Sequence, residues 1–279
     1  MLGLLLGLLV SSGAVPSSPC TPIPRVETLF AVSGTRWIVA GELHGTNEMP
    51  KAFGDLVCAA ARGKRGIIVA LEHPVDEQRL LDDYLSSNGD AAAKDHLLSF
   101  PIWHWAMQDG RTSQAYLALL ERLRLMKKQG MIRGVVAVQP SGKPLSPADY
   151  EAEMARTIRD ASTSADELVV VLIGSTHART TAFTTRDGTT YMPMAGLLPK
   201  DETITLDMSG MGGSAWNCTM PKDANGTSGI ACAAHPVAPP RKAYPRGIAL
   251  ARDDDAAFSG YFNLGTSLTA SLPAATNDQ

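Results

Sequence analysis

Three apolar runs in this sequence each end in acidic or imidazole side chains, and these are the residues that could do chemistry. They are Glu42, His44, Glu72 and His177. A charged group directly after a continuous apolar run is costly to bury without a partner, so three such placements predict one shared polar cleft. Carboxylates and imidazoles can hold a divalent metal ion. They can also activate water as general base and general acid.

Glycines set the spacing of two of these segments. Both histidines are the fourth residue of a Gly-x-x-His segment, Gly41–His44 and Gly174–His177. The glycines allow a tight turn at the end of a strand, which presents the imidazole ring beyond it. Glu42 and His44 are two residues apart, so they project from the same side while the chain stays extended.

Four further residues could bind substrate or support this cluster: Glu48, His73, His104 and Arg179. Glu72 and His73 point to opposite sides of an extended strand, and we expect Glu72 to enter the cleft. Glu48 has an alternative role at a helix N-terminus. Arg179 could orient carboxylates, bind an anionic group or stabilise a developing oxyanion. The segment Trp103–Trp105 could form a wall for substrate or haem, with core packing as the alternative.

The apolar runs alternate with helical patterns, which predicts an α/β fold with parallel strands. The strands are expected at 37–40, 66–71, 135–138 and 167–173. The helices are expected at about 50–62, 75–85, 114–128 and 147–160, the last with Ser146 as its cap and Pro147 at its first position. Ligands bind beyond the carboxyl ends of such strands, which is where the candidate residues lie.

The remaining segments are less regular. We expect a short edge strand over 28–32 and an irregular lid or insertion over 90–110. Short alternating strands at 189–194, 202–208 and 246–251 would extend the sheet. The predicted fold class is a layered α/β sandwich: a mixed, largely parallel central sheet flanked by helices, with an antiparallel extension from the C-terminal third. Residues 21–279 are expected to form one domain.

Composition excludes some partners. The chain has 279 residues, 44% apolar and 19% charged, with a formal net charge of −3. This balance and the lack of basic runs give no reason to expect a nucleic-acid partner. No internal stretch reaches the length of a membrane span. The expected partner is a small-molecule or peptide substrate, which composition does not identify, and the sequence contains no signal for an oligomeric state.

The N-terminus and the cysteines both suggest export to the periplasm or the medium. Residues 1–20 combine a short apolar stretch with small residues, which is typical of a signal peptide. Cys218 and Cys232 flank a loop rich in Gly and Asn and could form a disulfide. Cys58 is either a buried thiol or the partner of Cys20.

These motifs resemble the superfamily of ChaN-like haem-binding proteins, TraB/Tiki proteins and erythromycin esterases, which share the EreA/ChaN-like fold. ChaN-like members carry Gly-Glu-x-His, then a glutamate after the next strand, then Gly-Ser-x-His. Gly41–His44, Glu72 and Gly174–His177 match this order. The esterases carry His-Gly-x-x-Glu, matched by His44–Glu48. The resemblance covers residues 37–180.

The resemblance implies a hydrolase, although its members differ in chemistry. Our leading expectation is an exported hydrolase that cleaves an ester or peptide bond. Glu42, His44, Glu72 and His177 would hold Mn, Co, Zn or Fe, or would activate water without metal. The alternative is a haem- or metal-binding uptake protein without turnover, with His44 or His177 as ligand. A third possibility is a member whose polar cluster has lost its activity.

Overall fold

The computed structural model describes four segments of the chain: 20–220, 229–242, 244–250 and 257–275. The predicted signal peptide falls on residues that lie outside these segments, apart from Cys20. Among the described residues, none of the helices combines the length and the apolar character needed to span a membrane.

The strands and helices of the described residues follow one another in an α/β order. The helices are α1 (Glu27–Phe30), α2 (Glu48–Ala60), α3 (Gln78–Ser86), α4 (Ala91–Leu98), α5 (Gln114–Lys128) and α6 (Pro147–Asp160). The strands are β1 (Trp37–Glu42), β2 (Gly66–Pro74), β3 (Gly134–Gln139), β4 (Glu167–Gly174), β5 (Phe183–Thr184), β6 (Thr190–Tyr191), β7 (Thr203–Ser209), β8 (Gly213–Thr219), β9 (Ala231–Val237), β10 (Gly247–Leu250) and β11 (Gly260–Asn263). Short 3₁₀ turns lie at Val75–Glu77, Pro101–His104, Met194–Leu197 and Lys200–Glu202.

A seven-stranded sheet forms the centre of the fold, in the order β10-β11-β7-β1-β4-β2-β3. Neighbouring strands are parallel except for β10 and β11. The pairs β5–β6 and β8–β9 form separate antiparallel ribbons. The predicted α/β fold class is confirmed, with β7 and β11 adding parallel strands beyond β1 and with β10 antiparallel at the edge.

Successive side chains of the strands point to opposite faces of the sheet, and each face packs in one apolar layer. Ile38 and Ala40 of β1 pack with α2, α3 and α5, whereas Trp37 and Val39 pack with α6. The same alternation in β2 and β4 continues both layers. Strands β1, β2 and β4 are buried on both faces, as their continuous apolar runs predict for a covered parallel sheet.

Three sequence predictions about the strands and helices are wrong. The strand expected at 189–194 does not extend the central sheet, because Thr190–Tyr191 pairs with β5 in a separate ribbon. Residues 28–32 do not form an edge strand, because Glu27–Phe30 closes a single helical turn that buries only Leu29. Residues 90–110 are not irregular throughout, because they contain α4 and a 3₁₀ turn. Asp90 caps α4 by accepting a hydrogen bond from the Ala93 amide, and the alanines that follow favour helix strongly. The helix buries little, so it has no apolar stripe to reveal it.

Both disulfides considered from the sequence are present. Cys218 and Cys232 face each other directly across the β8–β9 ribbon. Cys58 on α2 pairs with Cys20 and fastens the start of the described chain to the helix. The residues around the first pair form two strands rather than only a loop, and the part of the loop at 221–228 lies outside the described residues.

Candidate active site

The four principal candidates lie together at the carboxyl ends of adjacent strands. Glu42 ends β1, Glu72 lies near the end of β2, and His177 follows β4, which separates those two strands. The β1–β4 pairing extends to the last residue of β1, where the Ser175 amide donates to the Glu42 carbonyl. The predicted convergence of these residues is therefore a consequence of parallel strands ending at one edge.

His44 lies between two buried carboxylates. Its Nδ1 is 3.1 Å from Glu42 Oε1, and its Nε2 is 3.3 Å from Glu72 Oε2. Burial lowers the pKa of His44, but the charge of Glu72 and the hydrogen bonds to both carboxylates outweigh it and raise that pKa to about 10. His44 is therefore an imidazolium at neutral pH.

Glu72 connects the members of the cluster. Its Oε2 accepts a hydrogen bond from the Gly174 amide at 2.7 Å, and its Oε1 accepts one from Arg111 Nη1 at 3.0 Å. Its Oε1 is also 3.9 Å from His177 Nε2. Burial raises the pKa of Glu72, but His44, Arg111 and His177 together hold it well below the usual range, so the group is a carboxylate.

His177 forms a pair with Glu151, a residue of α6 that the sequence did not single out. His177 Nδ1 is 2.7 Å from Glu151 Oε1, and Glu151 Oε2 accepts a hydrogen bond from the Met194 amide at 2.7 Å. Glu151 is buried, whereas one-fifth of the His177 side chain is exposed. Burial lowers the pKa of His177, but the bond to Glu151 and the charge of Glu72 raise it overall. A carboxylate that holds one nitrogen of an accessible imidazole leaves the other for proton transfer.

Arg111 is the cation of the cluster and was also missed from the sequence. It forms a two-pronged contact with Asp109, with Nε at 3.0 Å from Oδ1 and Nη2 at 2.7 Å from Oδ2. Its Nη1 reaches Glu72 and also Gln139 Oε1, at 2.8 Å, which brings the end of β3 into the site. Gly110, which precedes Arg111, has φ +100°. A Cβ atom on Gly110 would clash with the backbone amide of Gly45.

Gly174 permits the close approach of His44 to Glu72. A Cβ atom built on Gly174 would lie 2.9 Å from His44 Nε2 and 3.4 Å from Glu72 Oε2. The first distance is too short for a real contact, so an added methyl group must displace the imidazole. Gly174 is thus required for the close packing of the cluster, whereas its backbone has no positive φ that would itself demand glycine for the turn after β4.

A Gly174→Ala substitution is expected to disturb the site more than the fold. The Gly174 amide still donates to Glu72, but the ring of His44 moves, and overpacking of this kind costs about 1–3 kcal/mol. Titration of the His44 ring protons by NMR should show its pKa lowered from about 10 as its contact with Glu72 weakens. Gly134→Ala is the control, since nothing lies within 4 Å of its added methyl group. An unchanged His44 titration in Gly174→Ala would contradict this assignment.

The structure does not bring the four weaker candidates into the cluster. His73 is buried on the opposite face of β2, as predicted, with Nε2 3.0 Å from Glu77 Oε2. His104 contacts the Leu98 carbonyl. Glu48 accepts hydrogen bonds from the Thr269 amide and hydroxyl. The Arg179 guanidinium lies over the Phe258 ring, and Arg111 occupies the position beside Glu72 that a supporting cation requires.

The geometry of the cluster does not fit a divalent metal ion. Arg111 and the His44 imidazolium already place two positive charges 3.0 and 3.3 Å from the oxygens of Glu72, and both would repel a metal ion at this carboxylate. Both oxygens of Glu72 accept hydrogen bonds, and both nitrogens of His44 contact carboxylates. Among the described residues, no three His, Cys, Asp or Glu side chains are arranged to hold one ion.

A haem site receives no support from these contacts either. Trp103 is fully buried in the layer of α3 and α5, so it forms core rather than the wall of a cleft. Trp105 is exposed, but the imidazole of His104 between these two tryptophans contacts the backbone of α4. These contacts favour chemistry by the side chains themselves, and the metal and haem ligands expected from the sequence stay predictions.

Comparisons with known proteins identify the fold. No protein-family model and no curated protein matches the sequence. A mutant of the erythromycin esterase EreC in its open conformation matches with a TM-score of 0.56 and 11% identity, over 74% of this chain and 77% of that chain. The chain has the fold of an erythromycin esterase. A succinoglycan biosynthesis protein matches with TM-score 0.56 and 9% identity, over 78% and 75% of the two chains. A Bacillus cereus protein does so with TM-score 0.56 and 12% identity, over 88% and 91%.

At these identities the likeness shows the fold alone. The expected EreA/ChaN-like fold is confirmed. The roles of the individual side chains must be argued from the contacts described above.

Proposed function

We propose that this protein is a hydrolase of carboxylic esters that works without a bound metal. His177 is the general base and His44 the general acid. The Glu151–His177 contact carries this proposal, because it holds an accessible imidazole next to a second imidazole that is already protonated. The esterase that shares the fold makes an ester the first substrate class to consider.

His177 is oriented for proton abstraction. Glu151 is a carboxylate and only accepts hydrogen bonds, so the Nδ1 atom of His177 carries the proton of the neutral ring. The Nε2 lone pair is then available to a water molecule. Transfer of a water proton to Nε2 leaves hydroxide to attack the carbonyl carbon, and the electron pair of the carbonyl π bond moves to its oxygen.

His44 supplies the proton that the leaving group needs. When the tetrahedral intermediate collapses, the carbonyl bond forms again and the bond to the alkoxide oxygen breaks. His44 Nε2 donates its proton to that oxygen, so the products are a carboxylic acid and an alcohol. Glu42 Oε1 lies 3.1 Å from His44 Nδ1. This contact keeps the ring protonated and in place before the reaction.

Glu72 lies where it can restore both imidazoles. After one turnover His177 holds an extra proton and His44 lacks one. The Glu72 carboxylate is 3.9 Å from His177 Nε2 through one oxygen and 3.3 Å from His44 Nε2 through the other. It can therefore return a proton from the first ring to the second, while Arg111 stabilises its charge.

Export from the cytoplasm is part of the proposal. Two disulfides support an oxidising compartment, since such bonds persist outside the reducing cytosol. The apolar stretch near Met1 is of the kind that directs export.

Turnover by the wild type and by one histidine variant tests the function. A set of p-nitrophenyl esters of increasing acyl length, with p-nitroanilide peptides beside them, is assayed against wild type and His177→Asn. We expect ester hydrolysis by the wild type and a loss of about 10³-fold or more in the variant. The control is His104→Asn, which alters another accessible imidazole outside the cluster. Equal rates in His177→Asn and wild type would overturn the assignment.

The pH dependence of kcat/KM follows from the two imidazoles. His177 must be neutral, and its pKa is raised above 6.5, so the rate should increase with pH to a point above that value. His44 must be protonated, so the rate should fall again as pH passes its pKa of about 10. We expect a bell-shaped profile with its optimum between these limits. A profile that is flat up to pH 11 would contradict the role of His44.

A further inference from the structure

Tyr150 directly precedes Glu151 on α6 and packs against the same imidazole, that of His177. The ring of Tyr150 lies with its centroid 5.9 Å from the centroid of the His177 ring, at an interplanar angle of 36°. The helix therefore presents two consecutive residues to one imidazole: the carboxylate holds Nδ1, and the phenol packs against the ring. This placement leaves the Tyr150 ring beside the imidazole assigned to water activation.

The Tyr150 hydroxyl is a donor without an assigned acceptor. Within the described part of the chain it makes no hydrogen bond, although the side chain is partly buried. Burial is the largest cause that raises the pKa of the Tyr150 hydroxyl, and the charge of Glu72 raises this pKa further. The charge of Arg111 lowers it only in part. The phenol therefore stays protonated and neutral over the range in which His177 and His44 are active.

The guanidinium and the two backbone amides that contact Glu72 and Glu151 are already engaged. Arg111 donates to Glu72, Gln139 and Asp109. The Gly174 amide donates to Glu72, and the Met194 amide donates to Glu151. An oxyanion formed beside His177 needs a donor that does not have to break one of these bonds, and Tyr150 meets this requirement.

We propose that the Tyr150 hydroxyl binds the carbonyl oxygen of the ester and stabilises the oxyanion formed from it. This inference rests on the proposed function. The O–H bond of Tyr150 stays intact: it donates one hydrogen bond, which strengthens as negative charge builds on the oxygen and weakens when the carbonyl forms again. The protons that move are those of water, His177 and His44, so the balance of the reaction is unchanged.

A neutral hydrogen-bond donor such as the Tyr150 hydroxyl affects the chemical step and substrate binding to different extents. A phenol gains much more from an oxyanion than from a neutral carbonyl, so its effect falls on the chemical step rather than on binding. A structural role for Tyr150 in packing the His177 ring would instead alter stability or substrate binding. The two roles can therefore be separated by comparing kcat with KM.

The test is ester hydrolysis by Tyr150→Phe, which keeps the ring against His177 and removes only the hydroxyl. With the best p-nitrophenyl ester, we expect kcat to fall about 10²-fold while KM changes less than about threefold. The pH profile should keep its shape, since both imidazoles remain. Tyr84→Phe is the control, because it removes a hydroxyl that binds Glu121 away from the cluster.

The outcomes distinguish this inference from the function on which it rests. An active wild type with an unchanged kcat in Tyr150→Phe would overturn the inference alone. A rise in KM at constant kcat would do the same, because it indicates packing or binding. A wild type inactive on every ester and peptide would overturn the proposed function and the oxyanion role with it. A similar loss of kcat in Tyr84→Phe would show that lost stability explains the effect.

Discussion

A Glu151→Gln protein is expected to fold normally and to lose about 10³–10⁴-fold in kcat for ester hydrolysis. The carboxylate lies 2.7 Å from His177 Nδ1 and accepts a hydrogen bond from its N–H group. A glutamine of the same shape can present its N–H₂ group to that nitrogen, which places the proton on Nε2 instead. The ring is then in the wrong tautomer to accept a proton from water, although its position changes little.

The control for this prediction lies two residues further along the same helix. Glu153→Gln alters an exposed residue that pairs with Arg156, so kcat should stay within about twofold of wild type. NMR titration of His177 adds a readout apart from turnover. In Glu151→Gln the pKa of His177 should fall, since the partner that raises it is gone. Equal kcat values for Glu151→Gln and Glu153→Gln would show that the Glu151–His177 pair has no part in the mechanism.

An Arg111→Met protein is expected to lose about 3–5 kcal/mol in the free energy of unfolding. Arg111 contacts Glu72, of which 5% is exposed, and Asp109, of which 26% is exposed. Methionine keeps most of the side-chain volume but leaves the buried carboxylate of Glu72 with His44 as its main remaining charged partner at close range. The cost comes chiefly from Glu72, because solvent screens Asp109 in part.

Urea unfolding at neutral pH measures this loss. Arg156→Met is the matched control, because its partners Glu153 and Asp160 are exposed and such pairs contribute about 0–1 kcal/mol. Adding Glu72→Gln to Arg111→Met should recover part of the loss, since it removes the uncompensated charge. The same loss in Arg156→Met as in Arg111→Met would contradict the prediction.

Acid should reduce the difference between wild type and Arg111→Met. The pKa of Glu72 is lowered in the folded protein, so its ionised form stabilises the fold fully above the unfolded value of 4.5. That stabilisation is lost as pH falls through the lower, folded value. In the variant the pKa of Glu72 is closer to normal, and less stability remains to be lost.

The strand-end residues could be predicted from the sequence because their signal is local. A continuous apolar run predicts a buried strand, and parallel strands end at a common edge. Glu42, Glu72 and His177 therefore had to lie close together once β1, β2 and β4 shared a sheet. Helices α5 and α6 were equally clear, since an N-terminal serine cap and an apolar stripe mark both of them.

The partners of those residues depend on packing between distant segments, which spacing does not encode. Arg111 follows a glycine in a segment without periodicity, and only the folded chain brings it to β2 and β3. Glu151 did leave a signal. It precedes Met154, Ala155 and Ile158 at the spacing of one helix face, so a carboxylate stands in an apolar stripe. That position requires a buried partner, and His177 is the partner found.

The role of Arg179 stays a prediction, but its side chain does not lie where its sequence position suggests. Its place two residues after His177 made it the nearest cation in sequence, and a role beside the carboxylates was expected. The chain turns after β4, however, and the guanidinium lies over the ring of Phe258 instead. Proximity in sequence is a poor guide in a turn, whereas a strand keeps neighbouring side chains in known directions.

Ester hydrolysis by protein stripped of metal is the most direct test of whether the two histidines catalyse the reaction without a metal ion. Wild-type protein is purified without an affinity metal, dialysed against a chelator, and checked by elemental analysis for Mn, Co, Zn and Fe. We expect full hydrolysis of the best p-nitrophenyl ester with none of these metals in stoichiometric amount, and a loss of turnover in His177→Asn. Activity that disappears on chelation and returns with one of these ions would contradict this expectation.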